Sequence, residues 1–115
     1  MGKKWGVVFH EFAKGSPVDF WIEKKGMVAG IAELKTAFKQ SDFAFLNMRK
    51  YIAIDQISRA FEVAGIYLHQ QPSGVIYWSK IEDLRGNPKI VGKQSNFKND
   101  REPVLQIPLQ SLKVA

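Results

Sequence analysis

Gly65-Ile-Tyr-Leu-His69 and Val75-Ile-Tyr-Trp-Ser79 flank Gln70-Gln-Pro-Ser-Gly74, and this stretch decides the class of fold. The two flanks are rich in β-branched and aromatic residues. Pro72 presets the φ of a turn position and Gly74 can take a left-handed one. The pattern predicts an antiparallel hairpin over Gly65–Ser79. Ser79-Lys-Ile-Glu82 then has capping-box spacing, which predicts a short helix over Lys80–Arg85.

Towards the N-terminus, Trp5–Phe12 alternates as a strand, and Ala13–Pro17 is a cluster of turn residues. Val18–Lys25 reads either way. Ser16 and Pro17 would start a helix, but the β-rich composition favours a strand returning on Trp5–Phe12. Met27–Lys39 is expected to be the main helix, because Met27, Ile31, Leu34 and Phe38 recur at offsets of four, seven and eleven. Glu33, Lys35 and Lys39 then take flanking positions. Gly30 weakens that helix by about 1 kcal/mol relative to alanine. Either something packs closely against it, or the helix starts after it.

Phe43–Met48 alternates as a strand. Tyr51–Ile54 and Ile57–Val63 read as two further strands broken near Asp55, with a helix over Asp55–Val63 as the rival reading. Arg85–Glu102 is punctuated by Gly, Asn, Pro and Ser, with a short strand at Ile90-Val91. Val104–Leu109 closes the chain as a strand, its Pro108 suited to an edge or an end. The expected architecture is α+β: five to seven mostly antiparallel strands with one main helix, about 27–39, packed on them. With 115 residues and no linker-like segment, residues 1–115 are expected to form one domain.

Hydrophobic residues make up 45 % of the chain and charged residues 24 %, the profile of a folded domain. There is no cysteine, which excludes disulfides, thiolate metal sites and a cysteine nucleophile. No apolar run reaches the ~18 residues of a membrane span, so the expected location is cytoplasmic and no membrane partner is expected. Net charge is +6. Nine basic and five acidic side chains lie in residues 1–50, two and four in 51–83, and six and two in 84–115. The basic charge thus sits in the outer parts, where it can attract nucleic acid.

Chemistry is harder to find. His10 and His69 are the only histidines. His10 and Glu11 point to opposite faces of a strand, and no spacing joins either histidine to Asp55 or Asp83 as a metal set. Most of the serines sit beside turns, and the glycines form no phosphate-binding loop. No cofactor and no metal site are expected. The stretch with most functional content is basic: Arg85, Lys89, Lys93, Lys98 and Arg101, with Phe97 as a stacking face. A loop of this kind can follow a phosphate backbone. The expectation is a non-catalytic module that binds single-stranded or duplex nucleic acid through Arg85, Lys89, Lys93, Phe97, Lys98 and Arg101. The alternative is a protein–protein module, self-associating as a homodimer, since Trp5–Phe12 and Gly65–Trp78 are apolar on both faces. A small enzyme is the third reading.

Overall fold

The hairpin forms as its sequence requires. Strand β5 (Ala64–Gln70) pairs antiparallel with β6 (Ile76–Lys80), and Leu68 faces Trp78. Its turn closes with Gln71 N–H donating to Val75 C=O at 2.9 Å, and Gly74 has φ 92°. A computed structural model describes residues 6–11, 19–92 and 101–115, apart from the side chains of 90–92 and 101–102. The turn expected at Ala13–Pro17 lies outside the described residues.

Strands β1 (Val8–Glu11), β2 (Phe20–Lys24) and β3 (Met27–Thr36) run as an antiparallel meander, and β3 then pairs parallel with β5. Together with β6 and the short β9 (Lys113–Val114) they make a six-stranded sheet, ordered β1-β2-β3-β5-β6-β9. A second, three-stranded sheet is ordered β4-β8-β7, from β4 (Phe43–Asn47), β7 (Asn87–Gly92) and β8 (Arg101–Pro108). One main helix, α1 (Met48–Phe61), packs between them. The fold is α+β, as expected from the sequence, with a mixed sheet. No helix among the described residues is long and apolar enough to cross a membrane.

The position of the helix corrects the sequence reading twice. Met27–Thr36 is a strand. Two residues of the apparent helical stripe, Met27 and Phe38, are 74 % and 98 % exposed, so that periodicity was not a buried face. The segment is instead the centre of the sheet, buried on both sides around Gly30–Glu33. Lys24 and Met27 face each other across a two-residue turn in which Lys25 (φ 53°) and Gly26 (φ 78°) are left-handed, a geometry that matches strand twist. At Gly30 something does pack closely: a Cβ there would lie 2.8 Å from the Ala64 carbonyl oxygen of the parallel neighbour.

The second correction is the converse. Tyr51–Ile54 and Ile57–Phe61 are not strands but successive turns of α1, so the rival reading of a helix from Asp55 is the one that holds. Met48, Tyr51, Ile54 and Ile57 face the core at a three-residue spacing. Asp55 does not break the segment; it pairs with Arg59 at 3.0 Å on the outer face. Asn47 accepts the Arg49 N–H at 2.8 Å and starts the helix. Glu62 (φ 55°) ends it, with Val63 N–H donating to Ser58 C=O at 2.9 Å. The short helix expected over Lys80–Arg85 is one 3-10 turn, Ile81–Asp83.

The main core lies between the two sheets and α1: Ile31, Leu46, Ile54, Tyr67, Ile81, Leu105 and Ile107. A smaller cluster, Ile22, Ala32 and Leu68, occupies the opposite face of the six-stranded sheet, ringed by Phe9, Phe20, Leu34, Ile66 and Trp78.

Candidate active site

In a strand, residues two apart share a face. Strand β3 therefore sends Ile31, Glu33 and Lys35 to the side that carries α1. The parallel register sets Glu33 beside Tyr67 and Lys35 beside His69, and the next strand adds Ser79 and Tyr77 to those two rows. A helix would have scattered these groups.

Two carboxylates meet there. Asp19, just ahead of β2, accepts the Leu34 backbone N–H on Oδ2 at 3.3 Å, which ties it to the strand between Glu33 and Lys35. Lys50, in the first turn of α1, lies against both acids: its Nζ is 3.6 Å from Glu33 Oε1 and 3.9 Å from Asp19 Oδ1. Glu33 is 8 % exposed, and its Oε2 is buried without a hydrogen-bond partner. Burial first, then the charge of Asp19, pushes the Glu33 carboxyl up to about 7, while Lys50 pulls it back. Behind it, burial and then Glu33 hold the Tyr67 hydroxyl above its ordinary range. Tyr67 Oη donates to the Phe45 carbonyl at 3.4 Å. His69 is held below its ordinary value, by burial above all; Gln71 opposes this and Lys35 adds to it.

Those groups named in the sequence reading that are described lie elsewhere in the fold. Arg85 is exposed two residues ahead of β7, and Lys89 is exposed on it. Arg101 opens β8, and Lys93, Phe97 and Lys98 lie outside the described residues. The histidines do not converge. His10 stacks on Trp21, centroids 4.1 Å apart and 14° between planes, with Nε2 3.2 Å from Glu23 Oε1. Among the described residues no group of three or more His, Asp or Glu side chains is placed to hold a metal ion. The pair Asp19 and Glu33 nevertheless suits a hard divalent cation. Two carboxylates are a common protein contribution to magnesium, the remaining ligands coming from water and substrate phosphate. The buried, unpartnered Oε2 is the atom such an ion would satisfy.

The fold has a solved counterpart. The chain is similar to Hjc, a Holliday junction resolvase from the archaeal hyperthermophile Archaeoglobus fulgidus. The TM-score is 0.65 at 13 % identity, over 95 % of this chain and 82 % of that one. No family model and no curated protein sequence matches. This finding overturns the expectation of a non-catalytic binding or interaction module. The same architecture carries an enzyme, and the Asp19–Glu33–Lys35 face supplies the chemical groups missing from the sequence reading. They were missed because a helix at 27–39 placed Glu33 and Lys35 at its solvated flanks. The available signal was Glu33-x-Lys35 on a strand, one hairpin after Asp19.

Proposed function

We propose that this chain is a phosphodiester hydrolase acting on DNA, with a four-way junction as its substrate. The observation that carries this reading is the convergence of Asp19 and Glu33 beside Lys35 on one sheet face, in a fold shared with a junction resolvase. Asp19 and Glu33 are the residues that would hold a divalent cation. When bound, that ion polarises the phosphodiester and lowers the pKa of its water. Lys35 is exposed on the same face and supplies positive charge where the scissile phosphate gains negative charge. Glu33 loses its proton near pH 7, so the pair is ready for a cation at neutral pH and above. The net charge of +6 favours a polyanionic substrate.

The basic stretch remains part of the proposal. Arg85 and Lys89, both exposed, would contact phosphates away from the reacting bond. Reversing both should weaken junction binding and lower its salt slope by about one per residue. Self-association belongs here too. A homodimer, the partner that the two doubly apolar strands suggested, would show in sedimentation.

The deciding experiment incubates a synthetic four-way junction, a linear duplex and a single strand with the protein and Mg2+. Nicking of the junction is expected. Asp19→Asn, Glu33→Gln and Lys35→Met should each lose about 100-fold or more in rate while still binding the junction in Ca2+. Variants that cut like the wild type would remove the assignment, as would no cleavage of any DNA form in Mg2+ or Mn2+.

A further inference from the structure

Lys50 has an arrangement that the proposed chemistry does not use. It rises from the first turn of a helix whose start is fixed by Asn47, and its ammonium lies 3.6 Å from Glu33 and 3.9 Å from Asp19. Two carboxylates this close, one of them buried, repel each other unless a cation lies with them. Lys50 supplies that cation. Its side chain is 37 % exposed, so the ammonium has a path out to water. The ammonium therefore approaches the same oxygens that a divalent cation needs.

We propose that Lys50 is an internal counter-cation, which neutralises the Asp19–Glu33 pair in the cation-free protein and is displaced when a divalent cation enters. This rests on Asp19 and Glu33 being cation ligands. Lys50 is then a positioning residue with two consequences. In the cation-free protein it keeps the acids close, so the site is assembled before the ion arrives. It also competes with the ion, which lowers the affinity for free cation. A nearby nucleic-acid phosphate gives the displaced ammonium a new partner, so substrate and cation each favour entry of the other. The site would be armed mainly when DNA is present.

The test is calorimetric binding of Ca2+ alone, at about pH 8.5, well above the Glu33 value of about 7. Lys50→Gln and Lys50→Met should bind Ca2+ about three- to tenfold more tightly than the wild type, because the competing charge is gone. Lys50→Arg should stay within about twofold, and Asp19→Asn should lose binding. In the wild-type protein, the Lys50 side-chain methylene resonances should shift as Ca2+ is added, a readout that needs no variant to fold. Unchanged or weaker binding in Lys50→Gln and Lys50→Met, with Asp19→Asn still abolished, overturns the role of Lys50 alone. An unmoved Lys50 resonance does the same. Wild-type binding by Asp19→Asn overturns both this role and the cation site itself.

Discussion

The Asp19 carboxylate accepts the backbone N–H of Leu34 at 3.3 Å, and Leu34 is the residue between Glu33 and Lys35. A side chain that precedes β2 thereby fixes the segment of β3 on which the candidate chemistry depends. Asn can keep this hydrogen bond through its amide oxygen, whereas Ala cannot. Asp19→Ala should therefore lose about 1 kcal/mol of stability in urea unfolding, and Asp19→Asn much less. Both remove a like charge facing Glu33, so NMR titration should show the Glu33 carboxyl falling from about 7 towards its ordinary range. An unmoved Glu33 titration in Asp19→Asn would show that the two acids do not share one field.

Glu33 also makes stability depend on pH. Its value rises from 4.5 to about 7 on folding, so between these limits the folded chain binds more protons than the unfolded one. Stability should fall as pH rises through this window and level off above it. Glu33→Gln should flatten that slope and raise stability at about pH 8 by 1–3 kcal/mol. Chemical unfolding across the window measures this. A buried carboxylate that costs stability is what a site selected for chemistry leaves behind. If Glu33→Gln proves less stable than the wild type at alkaline pH, Glu33 serves the fold instead.

Two glycines of β3 and its turn separate steric from conformational effects. At Gly30 an added Cβ would lie 2.8 Å from a backbone oxygen of β5, which cannot move without parting the central strands. Gly30→Ala should cost about 1–3 kcal/mol and disturb the Glu33 environment three residues on. At Gly26 nothing lies within 4 Å and the constraint is φ 78° alone. Gly26→Ala should cost about 1 kcal/mol and leave Glu33 untouched. Thermal unfolding and the Glu33 titration together distinguish the two.

Local features were legible in the sequence. Pro72 and Gly74 with their flanks specified the β5–β6 hairpin, the alternation of Trp5–Phe12 pointed to the first strand, and Val18–Lys25 leaned to a strand while a helix stayed open. Composition and charge pointed to a folded α+β chain suited to a polyanionic partner. These signals are short-range, carried by residues within a turn of one another.

Which apolar segment became the helix was settled by long-range packing. Met27–Lys39 has helical periodicity and Tyr51–Val63 reads as strand with a helix from Asp55 as the rival, yet Met27–Thr36 is a strand and Met48–Phe61 a helix. Strand β3 is buried on both faces around Gly30–Glu33 and paired on both edges, so burial overrides its pattern. Segment 48–61 has no strand beside it and must bury one stripe between two sheets, which a helix does. The candidate site followed from that decision. Asp19, Glu33, Lys35 and Lys50 lie up to 31 positions apart in the chain, and no local spacing brings them together. Pairing of β2 and β3 sets Asp19 against the Glu33–Lys35 segment, and the packing of α1 delivers Lys50 to both acids.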